Sequence, residues 1–164
     1  MKRHIIILGI ILSASVNAQT IDYDHFDEDK MNEVLFSQMS NYTSKNCSYP
    51  LVQVDVGKER IYRFIKRNND KLSLDDLNKT INTNILRRFD SKAISQTNLT
   101  GNVGMICRIN CQDSQTYQEL ADSCIEEWSN SENLIFMGWS RVANAISYYN
   151  AKTKIAYCFL IYFE

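Results

Sequence analysis

Five cysteines, Cys47, Cys107, Cys111, Cys124 and Cys158, are the residues of this 164-residue chain with the widest chemical repertoire. A thiol can pair oxidatively, ligate a soft metal, or attack a substrate as its thiolate, and each role needs different company. A zinc site needs cysteine or histidine pairs at short spacing. Here Cys107 and Cys111 stand four residues apart with no second pair at zinc spacing, and the two histidines, His4 and His25, both precede every cysteine. A nucleophilic cysteine needs a histidine to take its proton, and none follows. The pattern therefore favours disulfides among the five, up to two with one thiol left over, and no metal and no cofactor. Spacing leaves the pairing open.

Other chemistry finds little support. Glu119, Asp122, Glu126 and Glu127 fall within one helical pattern, and the first three share a polar stripe opposite Leu120 and Ile125, which reads as a solvated face. Ser129, Ser131 and Ser140 lack a Gly-x-Ser-x-Gly setting and a histidine partner. With five glycines in the chain, no Gly-rich loop cradles a phosphate. The expectation is no catalytic residue. The net charge is −1, and the small basic clusters (Arg63, Lys66 and Arg67; Arg87 and Arg88) read as solvated helix faces, so no nucleic-acid partner is expected.

The N-terminus bounds where this chemistry takes place. Lys2 and Arg3 precede an apolar run from Ile5 to Leu12, and Val16, Asn17 and Ala18 offer small residues before a cut. Ser13 and Ser15 keep the run shorter than the roughly 20 residues a membrane span needs. Residues 1–18 read as a cleavable export signal, residues 19–28 as an acidic leader, and residues 29–164 as one domain, secreted or periplasmic, with no membrane span after cleavage. Four Asn-x-Ser/Thr sequons, at Asn41, Asn46, Asn78 and Asn98, arise readily in an Asn-rich chain and are read as unglycosylated.

The elements that must position any site follow from periodicity. Met31, Val34, Leu35, Met39 and Tyr42 mark an amphipathic helix, and Pro50 then forces an extended Tyr49. A second helix is expected from Lys58 to Asn68 with Ile61, Phe64 and Ile65 inward. A third opens on the Ser73/Asp76 pair with Leu74, Leu77, Ile81 and Ile85 buried. Alternation at Val103, Met105, Cys107 and Ile109 marks a strand, and residues 90–101 before it read as loop. Thr116 and Glu119 cap a helix carrying Tyr117, Leu120, Ala121, Cys124, Ile125 and Trp128. Two strands close the chain, residues 141–149 and 154–163, joined by a hairpin across residues 150–153. The last strand is apolar on both faces, so helices must cover both. The fold class expected is α+β: a three-layer α-β-α sandwich with a small, mainly antiparallel sheet.

The order of these pieces resembles the CAP superfamily, the SCP-like or cysteine-rich secretory protein fold. Residues 31–60, with Tyr49-Pro50-Leu51-Val52-Gln53-Val54-Asp55 between two helices, are similar to that family's opening. Tyr117 to Ala121 followed by Trp128-Ser129-Asn130-Ser131 resembles its "ala…trp…ser-x-x-his" helix end, and residues 142–149 with 157–163 its closing hairpin. Members often carry two His and two Glu in a central cleft. The match puts Leu134 at one cleft histidine and Met105 where an acid is usual, so the resemblance implies a cleft without the tetrad.

Binding is therefore the functional expectation, with an unidentified protein or small apolar ligand as partner. The candidate contact residues are Met105 and Leu134 from the resemblance, and Phe136, Trp139, Tyr148 and Tyr149 from the late aromatic cluster. Trp128 reads as core. The alternatives are a periplasmic inhibitor or immunity-type protein, whose charged face the leader residues 22–29 would supply, and a divergent hydrolase.

Overall fold

The computed structural model describes residues 20–46, 52–53, 57–86, 102–113, 115–129 and 142–163. Helix α1 spans Glu28–Asn46, strand β1 Val52–Gln53 and helix α2 Lys58–Asn68. Helix α3, Leu74–Thr80, runs on into a π-helical turn, Ile81–Ile85, and strand β2 covers Asn102–Asn110. Helix α4, Tyr117–Ser129, and the hairpin of β3, Val142–Asn150, and β4, Ile155–Phe163, complete the order. None of the described helices is long and apolar enough to cross a membrane.

The sheet runs β1-β3-β4-β2. Strands β2 and β3 flank β4 antiparallel along their full lengths, while β1 adds parallel to β3 only at Val142 and Ala143. Strand β4 is thus central, and its side chains alternate between two cores. Ala156, Cys158 and Leu160 face α1 and α4, joined by Met105, Cys107 and Ala145. Tyr157, Phe159 and Ile161 face α2, α3 and the π turn, joined by Ile106 and Ile146. Helices on both faces make the three-layer α-β-α sandwich that the two-sided apolar pattern of β4 requires.

Local chemistry explains the helix boundaries. The Ser73 hydroxyl accepts from the Asp76 amide at 3.1 Å and opens α3. Thr116 and Glu119 form a reciprocal box at the start of α4: the Thr116 amide donates to Glu119 at 2.8 Å and the Glu119 amide to Thr116 Oγ1 at 3.2 Å. Helix α2 starts from Gly57, whose φ of 76° lies in the left-handed region that glycine adopts without strain. The leader belongs to the fold from Thr20 onward, because its apolar residues alternate with its acids. Thr20 bridges Thr116, Ile21 is 5% exposed, and Phe26 stacks on Tyr149 at 4.9 Å.

Strand β2 is an edge, and the π turn covers it. The wider turn lays Asn82 alongside Gly104, where its side-chain amide donates to the Gly104 carbonyl at 2.9 Å and accepts from the Gly104 N–H at 2.8 Å. One side chain thereby satisfies the backbone groups another strand would have taken. Gly104 carries no Cβ because one would run into the Phe159 ring and come within 2.9 Å of Leu86. The Gly104→Ala variant is expected to lose about 1–3 kcal/mol of stability, as overpacked cores do. Urea denaturation checks this, and an unchanged midpoint would contradict the packing described.

Candidate functional site

Among the described residues, the side of β3 turned away from β4 has a neighbouring strand only at Val142 and Ala143. Beyond them the edge opens into a groove of about 420 Å³ between the N-terminal turns of α1 and α2. Glu28, Asp29 and Asn32 come from α1, Lys58, Glu59 and Tyr62 from α2, and Ile146 and Ser147 from β3. Each helix reaches the edge because it packs on β3 from its own face of the sheet.

Polar groups at the base of the groove are fixed. Ser147, fully buried, donates to Asn32 Oδ1 at 2.8 Å, with the Glu28 carbonyl oxygen 3.0 Å away. Asn32 is itself 3% exposed. The half-buried Glu28 carboxylate accepts from the Tyr149 N–H at 3.4 Å and from the Tyr62 hydroxyl. Burial pushes the Glu28 carboxyl above its ordinary value, opposed in turn by the Tyr62 and Tyr149 hydrogen bonds and by Lys66 nearby. The Tyr62 phenol is pushed up to about 12, first by burial and then by its bond to Glu28. At the rim Lys58 pairs with Asp29 at 2.7 Å.

A carboxyl raised by burial and lying in a cleft is a candidate functional group. Its acceptor capacity exceeds the two donors it receives, so it retains lone pairs for a ligand. Ser147 is committed to Asn32, and His25 lies exposed, paired with Asp22 at 3.0 Å.

A second groove, of about 650 Å³, lies between α2 and the α3–π segment, with Arg60, Arg63 and Arg67 on its α2 wall. Glu59, common to both grooves, pairs with Arg63, which offsets part of that charge.

Of the expected contact residues, Leu134, Phe136 and Trp139 lie outside the described residues. Met105 is 3% exposed in the α1/α4 core, because the β2 alternation turns it inward, so it does not line this groove. Tyr148 packs edge-on against the Tyr62 wall at 5.8 Å between centroids. Tyr149 brings its backbone N–H to Glu28, while its ring sits against Tyr23 and Phe26. Trp128 is core, and Glu119, Asp122, Glu126 and Glu127 are solvent-facing, as the helical period implies. Among the cysteines, Cys47 lies outside the described residues, and the other four carry free thiols. Cys107 and Cys158 face each other across β2 and β4. No protein-family model matches the chain, and no curated protein matches it. The site's own chemistry carries the functional reading.

Sequence reasoning missed Glu28, placing it in the leader. The available signal was Glu28 and Asn32 at i, i+4 on one helix face; Tyr62 and Tyr149 are brought there by the tertiary fold.

The charge of Glu28 has a definite sign in stability. Its pKa is higher folded than unfolded, so the folded state holds its proton longer. Stability is therefore lost as pH rises from the ordinary value of 4.5 through the raised one. Glu28→Gln should flatten that dependence. Tyr62→Phe, which removes a donor to the carboxylate, should raise the Glu28 pKa further, read by carboxyl-carbon NMR titration. A fall would refute the hydrogen bond as the compensating interaction.

Proposed function

We propose that this protein is a non-catalytic binding domain of CAP-like type, acting outside the cytoplasm, and that it captures an extended polypeptide segment bearing a lysine or arginine in the Glu28 groove. The observation that carries the reading is the half-buried Glu28 carboxylate, held beside a stretch of β3 that no described strand pairs. An open strand edge offers main-chain hydrogen bonds to an extended chain, and neighbouring pockets choose its side chains. Asp29 is paired with Lys58 and Glu59 with Arg63, so Glu28 is the lining carboxylate left to select a cationic side chain. The Ile146 floor and the Tyr62 wall suit the methylene stem of such a residue.

The export signal read at residues 1–18 supports the location, and the three-layer architecture is compatible with the CAP-like reading. The expected partner class, protein or small apolar ligand, narrows to protein because fixed polar groups line the base.

An immobilised library of extended hexapeptides, varied among Lys, Arg, Leu and Glu at one central position, tests this directly. The protein should retain the Lys and Arg members. Glu28→Gln should weaken retention about 10- to 100-fold, the loss expected for a hydrogen bond to a charged group. Retention that ignores both the central residue and the Glu28→Gln change would overturn the proposal, as would no retention at all.

A further inference from the structure

The thiols of Cys107, Cys124 and Cys158 converge on one point. Their sulfur atoms all lie within 4.8 Å of one another, and all three residues are fully buried. They arrive from three elements. Cys107 on β2 and Cys158 on β4 are direct cross-strand partners with side chains on the same face, and Cys124 comes down from α4, which packs on β2. The surroundings are apolar: Leu120, Ala121, Ala156 and Leu160 share this core.

Among the described residues the cluster offers three sulfurs and no nitrogen or oxygen donor, a set that discriminates sharply among ions. Soft thiolate ligands select copper(I) and zinc over harder ions. Structural zinc is four-coordinate, and the cluster supplies three ligands in a place closed to water. A three-coordinate ion with metal–sulfur bonds of about 2.3 Å would set its sulfurs about 4 Å apart. The observed separations need to contract by less than about 1 Å to meet that geometry. Cysteine binds a metal as its thiolate, so loading the site releases thiol protons and uptake strengthens as pH rises.

We propose that Cys107, Cys124 and Cys158 form a buried, all-sulfur, three-coordinate site for a single copper(I) ion. This site is separate from the Glu28 groove, which it meets only through the sheet. Cys111, half-buried at the end of β2 with its thiol against the Ile109 carbonyl at 3.9 Å, lies outside the cluster and serves as the internal control.

The test is an anaerobic titration of the reduced full chain with the coloured copper(I)–bicinchoninate complex. One equivalent of copper should leave the chelator per chain. Cys124→Ser and Cys158→Ser should each weaken uptake by more than about 100-fold, exceeding the loss typical of an outer-shell change. Cys111→Ser should leave it intact. X-ray absorption at the copper edge of the wild-type complex should show three sulfurs and no lighter donor, a readout that stands if a variant fails to fold. Three results would overturn the proposal: no uptake by the folded reduced chain, uptake that survives Cys124→Ser, or a nitrogen or oxygen in the copper shell.

Discussion

The two-sided burial of β4 is the constraint from which the rest of this structure follows. Its backbone is hydrogen-bonded to a strand on each side, and its side chains enter one core on each face. Phe159 and Leu160 are adjacent and both fully buried, yet they belong to different layers. A strand in that position cannot be stable under one layer of helices, because half of its apolar surface would stay wet. The chain therefore has to bring α1 and α4 to one face and α2 and α3 to the other. Among the described residues, only β1 pairs with the outer side of β3, and the gap between α1 and α2 at that edge is the groove.

Much of this architecture was legible because it depends on local pattern. The limits of α2 and the capping pairs Ser73/Asp76 and Thr116/Glu119 are short-range chemistry, and the structure reproduces them. The doubled apolar character of Ile155 to Ile161 gave the layer count. The π turn escaped because Ile81 and Ile85 satisfy an α-helical spacing equally well; its purpose appears only when Asn82 is seen against Gly104. The leader escaped for a similar reason, since its acids are conspicuous in sequence while Ile21 and Phe26 do the packing.

The candidate sites were less legible, for a physical reason. Glu28, Tyr62 and Ser147 are far apart in sequence and meet only through the sheet. The three core cysteines were each visible, but their convergence depends on the β2–β4 register and on the rotation of α4 above it. Spacing in sequence tests a metal site only when one loop or one helix supplies the ligands. A site assembled from two strands and a helix leaves no such trace. Both places nonetheless share an origin in β4: its pairing with β3 sets the open edge, and its pairing with β2 aligns Cys107 with Cys158.

Residue-resolved amide hydrogen exchange tests this account most directly. The amides of Phe159 and Leu160 on β4 should exchange only through global unfolding, with the highest protection in the chain. The Tyr149 N–H points out of the sheet toward Glu28, and the two-residue alternation puts the Ser147 N–H on the same open side. Ser147 should therefore exchange measurably faster than either β4 residue. Equal protection of Ser147 and Phe159, or faster exchange on β4 than on the β3 edge, would contradict both the central place of β4 and the open edge from which the groove is built.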